Sequence, residues 1–130
     1  MSPRARLVLW APVALFLAFE VYLSSQSRLP GLGFSFPGLD KLEHAGYFFL
    51  TGLLAVRAAR FGEGWSRTRT AVLLVLSAIL WGCLDEIHQS FVPMRSVELG
   101  DVLADTAGVT LAVAFGEGIL RRTGLDRTVR

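Results

Sequence analysis

The 130-residue chain contains one cysteine, one lysine (Lys41) and two histidines, and only 18% of its residues are charged. The lone Cys83 excludes an intrachain disulfide and leaves the redox compartment unread. There is no H-E-x-x-H and no paired-cysteine spacing, whereas zinc asks for three or four His, Cys or carboxylate ligands in fixed geometry. No metal site and no cofactor are therefore expected. G-x-S-x-G, a phosphate-binding glycine loop and a dinucleotide fingerprint are missing as well, which removes the common hydrolase and nucleotide-binding readings. Scarcity of charge counts against a soluble domain, because a chain this short needs a polar exterior.

Apolar residues are abundant instead. Hydrophobic side chains make up 52% of the chain, there are 13 glycines besides, and the mean hydropathy is +0.49; with glycine included the apolar share lies well above the roughly 45–50% of soluble domains. Four runs of spanning length stand out: Leu7–Leu23, Leu42–Ala59, Thr70–Val92 and Val102–Leu120. Four spans of about 20 residues use most of the chain and leave no room for a separate catalytic domain. The expected fold is thus all-α, a bundle of four transmembrane helices, with residues 1–130 forming one integral membrane domain.

The first run, preceded by Arg4 and Arg6, also has the look of a signal peptide. Pro12 and Glu20 interrupt it, no A-x-A-like site closes it, and a turn-rich stretch follows over Ser24–Gly38, so it reads as a retained span. Ten arginines, at 4, 6, 57, 60, 67, 69, 121, 122, 127 and 130, fall on one side of a four-span topology, against Arg28, Lys41 and Arg95 on the other. The positive-inside rule then places both termini in the cytoplasm. Split among short segments, these arginines suit an anionic leaflet rather than nucleic acid, and no nucleic-acid partner is expected. The Gly- and Ala-rich fourth run has the small residues that allow close helix approach and leaves self-association open.

The acids gather opposite the arginines. Intramembrane carboxylates are costly and point to function. Asp85 and Glu86 are adjacent and therefore about 100° apart on a helix, with Glu86 sharing a face with Gln89 and Asp85 spaced to meet His88 and Gln89. Lys41, His44, Phe48 and Gly52 form one helical stripe, Asp101, Asp105 and Gly108 another, and the connecting loop supplies Arg95. Structural readings compete at each position: Asp40 and Asp101 as N-caps, Glu86–Arg95 and Asp105–Lys41 as plain ion pairs, Glu20 as an interfacial residue, and Glu117 as a cytoplasmic-end residue near Arg121.

Taken in order, Tyr22-Leu23-Ser24-Ser25-Gln26, Asp40-Lys41-Leu42-x-His44, Asp85-Glu86-x-His88-Gln89-x-Phe91-Val92-Pro93-x-Arg95 and Asp101-Val102-Leu103-x-Asp105-x-x-Gly108 resemble the VanZ-like family of small bacterial membrane proteins. Two positions depart from that pattern: Met94 stands where the family usually has Gly, and Asp105 where it usually has Asn. The resemblance implies a four-helix protein of the bacterial cytoplasmic membrane and cell envelope, linked in some members to teicoplanin-type glycopeptide resistance, and no settled chemical activity.

Three functions are weighed. In the first, the outer cluster binds a lipid head group or lipid-linked envelope precursor, with Lys41 and Arg95 on a phosphate or carboxylate, Glu86, Gln89 and His44 on amide or hydroxyl groups, and Asp101 and Asp105 completing the site. In the second, the protein is an enzyme acting on an isoprenoid or phospholipid head group, with Glu86 or Asp85 as general base and His44 as acid or relay. The third is a structural or transport protein; against transport, the inner halves of the spans lack a chain of ionisable groups.

Overall fold

The computed structural model describes residues 2–27 and 36–127, the last by its backbone alone. Most of the turn-rich stretch, with Arg28, lies outside the described residues, as does Arg130. Four helices account for nearly everything described: α1 (Pro3–Ser24), α2 (Leu39–Val56), α3 (Arg67–Gln89) and α4 (Leu99–Arg122), with a π-type turn over Arg57–Gly62 prolonging α2.

Each helix starts and stops for a local reason. Ser2 caps α1 by accepting a hydrogen bond from the Ala5 amide at 3.2 Å, with Pro3 at the first position, where a missing N–H costs nothing. Ser66 does the same for α3 through Arg69 N at 3.1 Å. At α2 the cap residue is Gly38, with φ 85°, so Asp40 is not the N-cap expected of it; nor is Asp101, since Glu98 occupies the cap position of α4. The helix α3 runs 67–89 rather than 70–92 because the chain turns at Ser90–Met94 ahead of and through Pro93, which cannot continue a helix. Met94, where the VanZ-like pattern has glycine, takes φ 67°, the left-handed region that glycine enters without penalty.

Polarity is distributed inside out. Leu15 is 67% exposed and Phe115 62%, while Glu20, Asp85, Glu86, Gln89, Asp105 and Glu117 are buried. In water this arrangement would be untenable; in lipid it is the required one, because polar groups must find partners inside the bundle. Helices α1, α3 and α4 are long and apolar enough to cross a membrane. The first turn of α2 carries Asp40, Lys41 and Glu43, which dilute an otherwise apolar helix.

Glycines set which helices approach closely. A Cβ on Gly108 would strike the backbone of α2 at Ala45 and Phe49, one on Gly52 would lie 2.7 Å from Ala112 Cβ, and one on Gly82 would lie 3.2 Å from Val102 Cα. Hence α2 packs along α4 more extensively than any other pair, and α3 follows against α4. The small-residue stripe of α4 is used within the chain. Helix α1 has no glycine and stands off, leaving space between itself, α2 and α3.

Candidate functional site

The C-terminal ends of α1 and α3 meet the N-terminal ends of α2 and α4, and nearly all the acids of the chain collect at this acidic end. Lys41 Nζ donates to Asp40 at 2.8 Å, to Glu98 at 2.6 Å and to Asp101. These three carboxylates offer oxygens within 4.8 Å of one another, but the cation among them is the lysine itself. Burial lowers the affinity of Lys41 for its proton, yet its hydrogen bonds to Asp101, Asp40 and Glu98 outweigh that and carry the pKa above the usual lysine value. In return, the bond from Lys41 holds Asp40 below the ordinary carboxylate range, and Glu98 is lowered by Lys41 and then Ser96. Lys41 is thus fully engaged in fastening α2 to α4.

Beneath this latch, His44 Nδ1 lies 2.8 Å from Asp105 Oδ1, and its Nε2 lies 3.8 Å from Asp101 Oδ2. Asp105 is 2% exposed. The pairing weighed from sequence, Asp105 with Lys41, is therefore not formed, because His44, one turn deeper on α2, reaches Asp105 while Lys41 meets Asp101. Asp85 and Glu86 diverge as their adjacency requires. Asp85 faces α1, accepting hydrogen bonds from Ser24 Oγ and from Gln89 Nε2, the latter at 2.7 Å. Glu86 faces the start of α4, where its Oε2 accepts the Glu98 amide at 2.6 Å, and its buried Oε1 has no partner. His88 turns outward and meets Ser25 Oγ at 3.0 Å rather than Asp85.

Arg95 does not pair with Glu86. Its Nε donates to the carbonyl of Gln26 at 2.9 Å and its Nη2 to that of Leu23 at 2.8 Å, so it covers one of the last carbonyls of α1 and one just beyond the helix end, where a cation is favoured. Among the described residues it forms no ion pair with any carboxylate, and its Nη1 donors make no hydrogen bond.

Between these helix ends lies a cavity of about 240 Å³ lined by Glu20, Ser24, His44, Tyr47, Gln89 and Arg95, with Leu23, Glu43 and Phe48 completing the wall. Of the residues expected at a site, His44, Gln89 and Arg95 line it. Lys41, Asp85, Glu86, Asp101 and Asp105 stand behind or above it. Glu20, Ser24, Glu43 and Tyr47 were not singled out as site residues from sequence. Glu20, expected at the interface, is buried and accepts the Trp81 indole N–H at 2.9 Å; its place within an apolar run was the signal. Ser24 belongs to the Tyr22–Gln26 motif. Tyr47, whose hydroxyl donates to the Phe16 carbonyl at 2.6 Å, had no signal beyond its aromatic character.

The opposite, arginine-rich end is structural in its contacts. Glu117 accepts hydrogen bonds from Arg60 and Arg67. Glu63 accepts both Arg6, at 2.8 and 3.0 Å, and Trp10, at 3.2 Å, and the Arg6 guanidinium holds its carboxyl below the usual value.

Comparison with curated proteins and with solved structures gives no match. A family model does match, over residues 7–120, an interval that contains all four helix cores, the Lys41 latch, the His44–Asp105 pair and the Arg95 cavity. The chain belongs to the VanZ/LLP1 family.

Proposed function

We propose that the chain is a four-span protein of the bacterial cytoplasmic membrane, a single integral domain with both termini in the cytoplasm, whose outward-facing cavity binds the phosphate-bearing head group of a membrane lipid or lipid-linked envelope precursor. The observation that carries this reading is Arg95, a cation that lines the cavity and has no carboxylate partner among the described residues. A guanidinium anchored through two of its nitrogens presents the third to an anion in fixed orientation. Ser24, Gln89 and His44 supply further polar contacts, and Glu20 and Glu43 accept from hydroxyl or amine groups of the same head group. The orientation rests on the bias of ten arginines toward one side, with α2 crossing beside α4 as the fourth span.

Native mass spectrometry of the gently solubilised protein tests the reading. The wild type is expected to retain a phosphate-bearing lipid, and Arg95→Lys to weaken retention about tenfold, the equivalent of one charge-assisted hydrogen bond. Arg67→Lys, at the opposite end, is the control for general attraction to anions. Equal retention by wild type and Arg95→Lys refutes the reading. Family membership further supports a role in the envelope's response to glycopeptides, tested by whether expression raises the teicoplanin tolerance of a susceptible host.

A second reading, an enzyme cleaving the head group, is favoured by His44, whose ring is oriented by buried Asp105 and borders the cavity. It requires release of phosphate or alcohol from a lipid panel by the purified protein, lost in His44→Gln; no turnover across the panel removes it.

A further inference from the structure

The cavity at Arg95 has a neighbour. A second cavity of about 490 Å³ lies deeper between α1, α2 and α3, lined among others by Trp10, Val13, Leu17, Leu74, Ala78 and Trp81. Phe48 lines both. Along α1 the lining residues Trp10, Val13, Leu17, Glu20 and Ser24 recur at spacings of three and four, one continuous stripe. From Trp10 to Ser24 the stripe is about 21 Å long at 1.5 Å per residue, roughly two-thirds of a hydrocarbon core about 30 Å thick. The chemistry changes once along it, polar toward Ser24 and apolar toward Trp10. The space exists because α1 lacks the glycines that draw the other helices together. Two cavities that adjoin at Phe48, one bordered by polar side chains and the other by apolar ones, together offer the polarity of one lipid molecule lying parallel to the helices.

We propose that the deeper cavity holds a hydrocarbon chain of the same lipid whose head group sits against Arg95, with Phe48 beside the junction of chain and head. This rests on the head-group reading above. Transfer of a chain from bilayer to protein brings no hydrophobic gain, lipid tails being as apolar as the lining. What places this particular chain there is its covalent link to the bound head group, which raises its local concentration over that of surrounding lipid.

The test uses the full chain in phosphatidylcholine nanodiscs with a long-chain alkyl phosphate carrying a diazirine at the chain end, and a second probe carrying it beside the phosphate. After photolysis, peptide mapping locates the adducts. The head-end probe is expected on Ser24 or Gln89 and the tail-end probe on Val13, Leu74 or Ala78, both lost when excess unlabelled alkyl phosphate competes and both reduced about tenfold in Arg95→Lys. Ala78→Phe fills the deeper cavity and is expected to displace the tail-end label onto lipid-facing Leu15 and Leu80 while sparing the head-end label. Should Ala78→Phe fail to fold, Ser77→Phe, on the rim of the same cavity and exposed, replaces it. If the head-end label is competed and depends on Arg95 while the tail-end label falls on Leu15 and Leu80 in the wild type, the chain assignment is overturned and the head-group reading stands. If neither label is competed, both fall.

Discussion

Replacing Gly108 by alanine is expected to loosen the α2–α4 contact that holds the acidic end together. A Cβ there would lie 2.8 Å from Phe49 N and 3.1 Å from the Ala45 carbonyl carbon, with the Ala45 carbonyl oxygen closer still. All three obstacles are backbone, so no rotamer change relieves them and the helices must separate. Overpacking costs about 1–3 kcal/mol, and removing a glycine from a helix returns about 0.5–1 kcal/mol, so Gly108→Ala should destabilise by about 1 kcal/mol. Gly46 lies on the same helix pair, but a Cβ added to it would meet nothing within 4 Å, and Gly46→Ala should stabilise by about 0.5–1 kcal/mol. The two variants therefore differ by about 2 kcal/mol and in opposite directions, although both are Gly to Ala in one bundle. Reversible unfolding in mixed micelles measures the difference. The His44 ring, bonded to Asp105 at 2.8 Å one turn from Gly108, gives a second readout by NMR, since separation of α2 from α4 lengthens that bond. Equal stability of the two variants, or an unshifted His44 in Gly108→Ala, would refute the close-approach argument.

Met94→Gly is expected to stabilise by about 1 kcal/mol, because it relieves a left-handed φ of 67° at an exposed side chain; a loss of stability in the same unfolding assay counts against it. Asp105→Asn retains an acceptor for His44 and should cost less than Asp105→Leu, which leaves the imidazole unpaired at about 1–3 kcal/mol; equal costs would mean the bond is unimportant. The carboxylates of Asp40 and Glu98 are held low by Lys41, so their contribution is present above their ordinary values of 3.8 and 4.5 and is lost as pH falls through the lowered ones. Thermal melts of wild type and Lys41→Met should accordingly converge on acidification, and a gap independent of pH would overturn the latch. Cys83 is exposed on the surface of α3, about 9 Å from the helix end at Gln89 by helical rise; a polar maleimide should leave it unmodified in nanodiscs and react after denaturation, whereas rapid reaction in the bilayer would mean that this face of α3 meets water.

The two stripes, Lys41–His44–Phe48–Gly52 and Asp101–Asp105–Gly108, were legible because helical periodicity alone decides which residues share a face. Their partners were not. Whether Asp105 meets Lys41 or His44 depends on the relative depth of α2 and α4, which Gly108 and Gly52 fix by backbone contact, and no spacing within one helix records it. Arg95 lies in a turn, where no period exists, and its choice of the α1 carbonyls over Glu86 follows from where α1 ends. The apolar runs located all four helices but misplaced their ends: α4 extends to 99–122, because Leu99–Asp101 and Arg121–Arg122 are helical though not part of the apolar run. The run expected over 42–59 gives way at Arg57 to a wider turn, which hydropathy does not register. Glu20 misled for a related reason, since its partner Trp81 lies 61 residues away on another helix.

That separation bears on the order of assembly. Of the four helices α1 is synthesised first, yet everything that satisfies it comes later: Glu63 for Arg6 and Trp10, Trp81 for Glu20, Asp85 for Ser24, and Arg95 for its last carbonyls. Tyr47, which donates to the Phe16 carbonyl, gives α1 a contact as soon as α2 is present, but the Glu20 carboxyl group gains its partner only with Trp81 of α3. The first-made helix thus depends for its polar partners on chain that is still to come.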